Sequence, residues 1–368
     1  MKTTAKRIGL AIVGAGRVGG FRAEIAARYP SVDWIGIAET HPQRGEALKE
    51  KINADFLTND FRVLLNRPEV TAVIVATSDD QHADPVLLAC DRLLPVLVEK
   101  PIATNITQSE AILEHIDKTN NEVLVGYTQR FRRRWLTMKE KIHSGALGDV
   151  SVVTSRGLMN RLMAIQSYER AGNIAAECSP MVVSGTHVID LVMWCMQGRT
   201  PVECYARSVD KLLGPLYGGV DATVATIVFD DGALYHLSHC WSLPVAWPGA
   251  VYSLELSVTG KDGVLTVDDT HRDMVMAVSS PQNEGHTPDN SRLVDFLGSY
   301  LPGDVALGEI WGPLREETEC WLTHLSLGSP IHAATAREAH NNLLLTKAID
   351  QSALERKPID VHLLSALG

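Results

Sequence analysis

The sequence predicts an α/β protein: a doubly wound parallel sheet, then a second, α+β domain with a large, mostly antiparallel open sheet. Apolar runs alternate with helix-like segments over the first third of the chain, which is typical of a parallel sheet with helices on both faces. A glycine-rich turn follows the first apolar run. Beyond residue 150 the alternation is replaced by successive strand-like runs. We therefore expect a first domain over residues 1–127 and a second over residues 128–368.

The glycine-rich turn reads Gly-Ala-Gly-Arg-Val-Gly over residues 14–19, between the apolar run Ile8 to Val13 and a helix-like segment. In such a turn Gly14 allows the tight bend, Gly16 lets the backbone approach a pyrophosphate, and Gly19 lets helix and strand pack closely. The helix N-terminus then presents its N–H groups and positive dipole end to the phosphates. Strand, turn and helix in this order predict a dinucleotide-binding domain.

The second strand, predicted over Trp34 to Ala38, ends at an acidic residue, Glu39. An acid at this distance from the glycines accepts hydrogen bonds from the ribose hydroxyls of NAD and repels the 2′-phosphate of NADP. The sequence therefore favours NAD. Arg44 is available to a 2′-phosphate, which leaves NADP as the alternative.

Lys100 follows the short apolar run Val96 to Val98 and precedes Pro101. The run reads as a buried strand, and ligands of open α/β sheets bind at the carboxyl ends of the strands. A partly desolvated amine there can exchange protons near neutral pH. Most lysines are simply solvated, and the glycine turn upstream is what favours a functional Lys100.

Two further strands, predicted over Ala72 to Ala76 and over Val123 to Val125, continue the first domain. Right-handed crossovers place Thr77, Lys100 and Tyr127 along the sheet edge that holds the glycine turn.

The second domain begins with a strand over Val150 to Ser155, followed by a polar, Met-rich loop over 157–178. A helix containing His187 is expected to run to about Met196. Asp230-Asp231-Gly232 marks a hairpin, and an aromatic loop follows Trp241. Strands are predicted at 202–208, 222–229, 233–241, 252–258, 263–267 and 274–278, a flexible insertion at 279–290, and helices at 293–300, 313–325 and 335–351.

The composition excludes several classes of function. The 368 residues are 45% hydrophobic, with a net charge of −10 and a pI of about 5.7, so nucleic acid is not an expected partner. No apolar run approaches the roughly 18 residues of a membrane span, and no signal peptide is visible. The six cysteines are scattered without a Cys-x-x-Cys pair, which indicates a reducing cytoplasm and no zinc site.

Six ordered motifs resemble one known family, the glucose-fructose oxidoreductase, inositol dehydrogenase and rhizopine-catabolism (Gfo/Idh/MocA) oxidoreductases. The resemblance covers nearly the whole chain and implies a Rossmann domain, a second α+β domain, and a sugar or cyclitol substrate between them. It rests on the glycine turn, Val75-Ala76-Thr77 with His82, Glu99-Lys100-Pro101, Gly126 to Phe131, Gly145 to Gly148, and His187 to Leu191.

The resemblance implies that Lys100 and His187 are the catalytic residues. Asp190, three residues after His187, is placed to support its imidazole ring. Residues matching the family's NAD site are Gly14, Gly16, Arg17, Val18, Glu39, Thr77, Asp79, His82, Glu99, Lys100 and Gln129.

One position departs from the family pattern. Members usually have an aspartate four residues before the histidine, where this chain has Val183. Another polar group then has to take its place, or the chemistry differs. Residues considered for substrate binding are Tyr168, Glu177, Ser184 and Trp241.

We expect an NAD(P)-dependent oxidoreductase that transfers a hydride between nicotinamide and a secondary hydroxyl or ketone of a sugar, cyclitol or related polyol. Val183 keeps one alternative open, an NAD-dependent glycosidase or lyase of the same fold without net redox change. A non-catalytic NAD-binding regulator is a further alternative, and the retention of both Lys100 and His187 argues against it. The resemblance also implies a homodimer or homotetramer formed through the open sheet.

Overall fold

A computed structural model of the protein describes residues 5–171, 179–244, 252–268, 275–282, 292–296 and 303–366. Within these ranges the strands are β1 (Ile8–Val13), β2 (Val32–Ala38), β3 (Phe56–Thr58), β4 (Ala72–Val75), β5 (Val96–Glu99), β6 (Val123–Gly126), β7 (Val150–Asn160), β8 (Pro201–Val209), β9 (Ala222–Phe229), β10 (Leu234–Leu243), β11 (Tyr252–Gly260), β12 (Gly263–Asp268), β13 (Val275–Gln282), β14 (Arg292–Phe296), β15 (Asp304–Ala306), β16 (Glu309–Trp311), β17 (Ala334–Thr335) and β18 (Ile359–Asp360).

The helices of the same ranges are α1 (Arg17–Ala27), α2 (Pro42–Ile52), α3 (Phe61–Leu65), α4 (Ala83–Asp91), α5 (Ile106–Thr119), α6 (Arg133–His143), α7 (Arg161–Ala171), α8 (Thr186–Cys195), α9 (Gly214–Tyr217), α10 (Pro313–Leu327) and α11 (Ala336–Glu355). Short 3₁₀ turns cover Asp79–Gln81, Thr128–Phe131 and Val361–Ala366, and a π turn, Met181–Gly185, leads into α8.

The chain folds into two compact units. Unit 1 contains residues 1–131 and 305–341, and unit 2 contains residues 132–304 and 342–368. The division expected from the sequence, a single boundary after residue 127, differs because residues 305–341 return to the first unit. There β17 pairs with β6, and Trp321 and Leu322 of α10 join the core cluster around Leu10 and Ile12.

Unit 1 contains a seven-stranded sheet in the order β17-β6-β5-β4-β1-β2-β3 within the described residues. Strands β1 to β6 are parallel and β17 is antiparallel to β6. The strand order reverses between β1 and β4, and the crevice at such a reversal is where dinucleotides bind in doubly wound sheets. The predicted Rossmann domain is confirmed.

Unit 2 contains a second seven-stranded sheet in the order β12-β11-β7-β10-β9-β8-β18, again within the described residues. Its neighbouring strands are antiparallel except β7 and β10, which run parallel. Along β8 to β10 side chains alternate between a buried face and an exposed face. The expected large, mostly antiparallel sheet is confirmed.

Two predictions of local structure are wrong. The stretch from Gly157 continues strand β7 to Asn160 and then forms α7, where a loop was expected over 157–178; residues 172–178 lie outside the described ranges. Pairing with β10 and β11 on both sides holds the strand through Gly157. Residues 292–296 form β14 against β13, where a helix is predicted at 293–300. The prediction is wrong because three apolar residues do not distinguish the periodicity of a helix from that of a strand.

Two other expected segments fall partly outside the described residues. Of the insertion expected at 279–290, residues 279–282 belong to β13 and the remainder is not described. The aromatic loop after Trp241 is not described beyond residue 244. Within the described ranges, no helix combines the length and the apolar character needed to cross a membrane.

Candidate functional site

The glycine turn follows β1 and has the geometry of a phosphate cradle. Gly14 has a φ of +96°, and a Cβ there would lie 2.5 Å from the carbonyl oxygen of Ala76. A Cβ on Gly19 would collide with the carbonyl oxygen of Gly14. A Cβ on Gly16 would meet no atom within 4 Å. Gly14 and Gly19 are therefore required by the fold itself. Gly16 instead leaves open space at the N-terminus of α1, as a bound pyrophosphate needs.

Glu39 lies at the end of β2 and is almost fully buried. Its carboxylate accepts hydrogen bonds from the backbone N–H of Ala15 at 2.7 Å and of His41 at 2.8 Å. The guanidinium of Arg44 lies 3.7 Å away. Since a carboxylate has about four acceptor positions, two remain for ribose hydroxyls beside the glycine turn. The residues present therefore fit an NAD adenosine.

Thr77 follows β4, across the strand reversal from the glycine turn. Its Oγ1 is buried and has no hydrogen-bond partner within the described structure. Buried hydroxyls are normally hydrogen-bonded, so this atom fits a site completed by a cofactor. Asp79, in the following 3₁₀ turn, is partly exposed.

His82 is completely buried, and both of its ring nitrogens face backbone carbonyls. Nδ1 lies 2.7 Å from the Pro101 oxygen and Nε2 lies 3.3 Å from the Thr77 oxygen. His82, which the sequence predicts to contact the cofactor, therefore connects the segment that follows β4 with the segment that follows β5.

Lys100 emerges at the carboxyl end of β5, as predicted, and is partly buried. The preceding Glu99 carboxylate accepts a hydrogen bond from Arg22 Nε at 2.5 Å. Arg22, on α1, is itself completely buried and also bonds Glu317 of α10 at 2.5 Å. Burial disfavours the charge, but the carboxylates of Glu99 and Glu317 raise the pKa of Arg22 above its ordinary value, so it remains a cation. Sequence reasoning missed Arg22 and Glu317. A signal for Arg22 was its spacing of three residues from Ile25, which places both side chains on the same face of α1.

The remaining predicted cofactor residues of unit 1 occupy different environments. Arg17 is exposed at the start of α1, and Val18 packs against a small cluster with Ile25. Gln129 is buried in the 3₁₀ turn after β6. The neighbouring Arg130 is buried and pairs with Glu338 at 3.3 Å, so it belongs to the packing of unit 1.

In unit 2, His187 lies near the start of α8 and is partly buried. The helix is fixed by polar contacts within the unit. Asp190 is buried and accepts a hydrogen bond from Asn342 Nδ2 at 2.8 Å. Ser179 Oγ accepts from the Val182 N–H at 3.2 Å and donates to Asp350. Burial raises the pKa of Asp350 to about 6.

Three residues considered for substrate binding form one buried cluster in unit 2. Trp241 Nε1 donates to Ser184 Oγ, and His239 Nε2 lies 2.7 Å from the same oxygen. The Tyr168 hydroxyl accepts from the Val220 N–H at 3.3 Å, and its ring makes an edge contact with Trp241. Tyr168, Ser184 and Trp241 are respectively 4%, 2% and 0% exposed, which indicates a supporting role. The fourth, Glu177, lies outside the described residues.

Ser184 belongs to the π turn that contains Val183, directly before the His187 helix. Its oxygen donates to the Pro180 carbonyl at 3.1 Å and accepts from Trp241. Burial lowers the pKa of His239 to about 3, so that side chain is neutral.

The structure therefore brings Gly14, Thr77 and Lys100 to one edge of the unit 1 sheet, at the ends of the adjacent strands β1, β4 and β5. His187 belongs to unit 2. A doubly wound sheet with a glycine turn, a strand-end acid and an open Gly16 defines a dinucleotide-binding protein of the Rossmann class.

Comparison with known proteins specifies the family. The family model described as "Oxidoreductase family, NAD-binding Rossmann fold" matches residues 8–127. The family model of the GFO/IDH/MocA C-terminal domain matches residues 135–266. The chain belongs to the Gfo/Idh/MocA oxidoreductase family. It is an oxidoreductase, and its cofactor is NAD.

Individual relatives agree with the family match. Myo-inositol 2-dehydrogenase of Thermotoga maritima is 23% identical over 361 residues, covering 97% of this chain and 98% of the relative. Inositol 2-dehydrogenase of Rubrobacter xylanophilus is 30% identical over 215 residues, covering 57% and 58% of the two chains. The crystal structure of scyllo-inositol dehydrogenase from Lactobacillus casei with NAD(H) and scyllo-inositol superposes with a TM-score of 0.76 at 17% identity, covering 97% of this chain and all of the other.

Proposed function

We propose that this protein is an NAD-dependent dehydrogenase that oxidises a secondary hydroxyl of a cyclitol or a closely related polyol. One observation carries the proposal: the carboxyl ends of β1, β4 and β5 bring the glycine turn, Thr77 and Lys100 to one sheet edge. Inositol dehydrogenases among the relatives support the substrate class. Glu39 supports NAD over NADP, because its carboxylate is bonded to the Ala15 N–H of the glycine turn and an acid at the end of this strand binds ribose hydroxyls and repels a 2′-phosphate.

The proposed chemistry assigns separate roles to His187 and Lys100. NAD supplies the hydride acceptor when bound. Loss of hydride from an alcohol carbon requires the hydroxyl proton to leave, and the His187 imidazole accepts it, since imidazoles titrate near neutral pH. The Lys100 ammonium stabilises the developing alkoxide by its charge. Val183 contributes no carboxylate, so the proposed chemistry uses His187 as the proton acceptor and Lys100 as the stabilising charge, without an acid from that position.

The exposed face of the unit 2 sheet supports the proposed self-association. Tyr205, Val209, Val224 and Leu234 lie on this face of β8, β9 and β10 and are 41–49% exposed. On this face the four apolar side chains are interspersed with Arg207, Thr226 and His236, and exposed apolar side chains on an open sheet face support an interface. We propose a homodimer or homotetramer through this face, and Val224→Lys should shift the mass measured by light scattering to that of the monomer. A cytoplasmic location remains a prediction from the cysteine pattern.

The proposed reaction is tested by mixing the purified protein with NAD or NADP and a panel of inositols, sugars and aryl glycosides. NADH absorbance that rises with myo- or scyllo-inositol supports the proposal. Aglycone release without net NADH would replace it with a glycosidase of the same fold. NAD binding without turnover of any panel member would favour a regulator.

A further inference from the structure

The residues on both sides of Lys100 are held by buried side chains. On the preceding side, Glu99 is bonded to Arg22 at 2.5 Å. On the following side, the Pro101 carbonyl oxygen lies 2.7 Å from Nδ1 of His82. Arg22 and His82 are both 0% exposed. Neither contact involves the Lys100 side chain, so together they fix the position from which that side chain projects.

The Arg22 side of this arrangement is anchored in three elements of unit 1. Its Nε binds Glu99 at the end of β5, its Nη2 binds Glu317 of α10 at 2.5 Å, and its Nη1 donates to Thr318 at 2.9 Å. Arg22 itself belongs to α1, the helix that begins at the glycine turn. The guanidinium therefore ties the end of β5 to the helix whose N-terminus faces the cofactor phosphates.

Gly126 shows how closely this cluster is packed. It pairs with Glu99 across β5 and β6. A Cβ at Gly126 would lie 2.6 Å from Arg22 Nη2 and 3.3 Å from both Glu99 carboxylate oxygens. A side chain at residue 126 would thus displace the guanidinium from Glu99. Glu99, which precedes Lys100, and Gly126 of the neighbouring strand thus both lie against this one cation on α1.

The His82 side is anchored at the end of β4. Nδ1 faces the Pro101 oxygen and Nε2 faces the Thr77 oxygen at 3.3 Å. The Pro101 carbonyl oxygen can only accept a hydrogen bond, so Nδ1 is the donor in the 2.7 Å contact. His82 thereby links the backbone after Lys100 to the backbone of Thr77.

We propose that Arg22, Glu99 and His82 are positioning residues for Lys100. Glu99 and His82 therefore do not act as direct NAD ligands. The inference rests on the proposed catalytic role of Lys100. Misplacing a catalytic group by about 1 Å costs up to about 100-fold in rate. Loss of either contact should therefore lower kcat and leave the affinity for NAD nearly unchanged.

The test on the His82 side compares His82→Leu with His82→Asn. The asparagine amide replaces the Nδ1 donor, whereas leucine has none. We expect His82→Leu to lower kcat about 10- to 100-fold with myo-inositol and to leave the Kd for NAD within about threefold. His82→Asn should restore most of the lost kcat. An equal loss in NAD affinity, or unchanged kcat in His82→Leu, would overturn the proposal.

The test on the Arg22 side has to separate positioning from folding. Arg22→Met alone leaves two carboxylates without their cation, which is strongly destabilising. The double variant Arg22→Met with Glu317→Gln removes one of those charges, and the Glu99 carboxylate retains some solvent contact. Arg28→Met is the matched control, because Arg28 closes the same helix but forms an exposed pair with Glu309. We expect reduced kcat in the double variant and wild-type kcat in the control.

A readout independent of turnover is the NMR resonance of Lys100 after reductive ¹³C-methylation, assigned by its loss in Lys100→Met. We expect this resonance to shift in His82→Leu and in the Arg22 double variant, and to stay in place in Arg28→Met. If both variants keep the resonance in place and keep wild-type kcat while Lys100→Met is inactive, the positioning role is refuted and the proposed function stands. Turnover by Lys100→Met refutes the proposed function instead.

Discussion

Gly16 and Gly19 lie three residues apart in the same turn, yet alanine should weaken NAD binding at Gly16 and lower the stability of the protein at Gly19. Gly16 has φ −63° and ψ −175°, which any residue adopts, and a Cβ there meets nothing within 4 Å. Reduced freedom of the unfolded chain stabilises such a variant by about 0.4–1 kcal/mol, and the poorer helix cap offsets a similar amount. The melting temperature of Gly16→Ala should therefore stay within about 4 °C of wild type.

The effect on cofactor binding is much larger. The added methyl occupies the space through which a pyrophosphate approaches the backbone. A steric cost of about 1–3 kcal/mol corresponds to a Kd for NAD raised about 5- to 150-fold. Calorimetric titration with NAD measures the Kd, and a thermal melt without NAD measures stability.

Two neighbouring glycines provide controls. A Cβ on Gly20 would lie 3.9 Å from Leu48, so Gly20→Ala should gain about 1 kcal/mol in helix propensity with no change in NAD affinity. Gly19→Ala should lower stability, because its Cβ collides with the Gly14 carbonyl oxygen. If Gly16→Ala binds NAD within twofold of wild type, the turn is not the pyrophosphate site.

The other predictions concern specificity, packing and pH. Glu39→Ser should weaken NAD binding and reduce the preference for NAD over NADP, as measured by paired titrations; an unchanged ratio contradicts the role of Glu39. Ser184→Ala removes the oxygen shared by Trp241 and His239 and should lower the free energy of unfolding in urea by about 1–3 kcal/mol, and a smaller loss would show that the cluster adds little. The pKa of His239 is about 3 in the folded protein, below the ordinary value of about 6.5. Between these two pH values the unfolded chain binds the proton more readily than the folded protein. The free energy of unfolding therefore falls as the pH drops from about 6.5 to about 3. Between pH 6 and 4 wild type should thus lose up to about 1.4 kcal/mol per pH unit more than His239→Gln, and parallel curves would refute the assignment.

Much of unit 1 could be predicted because its signals are local. The glycine turn, the strand-end acid and the apolar run before Lys100 each occupy a few consecutive residues, and their order fixes the sheet edge they share. The environment of Lys100 could not be predicted in this way. Arg22 meets Glu99 77 positions away and Glu317 295 positions away, and no local pattern specifies such partners.

Unit 2 was harder to predict because long-range pairing decides its structure. Strand β7 continues through Gly157 since β10 and β11 flank it, and residues 292–296 become a strand by pairing with β13. The sequence offers Ser184 as a substitute for the acid missing at Val183. Its burial and its bond to His239, 55 positions away, became visible only in the structure.

Lys100→Met tests the central claim most directly. With NAD and an inositol that the wild type oxidises, the account predicts that this variant forms no NADH above background while its Kd for NAD stays close to that of the wild type. NADH formation at the wild-type rate would contradict the account.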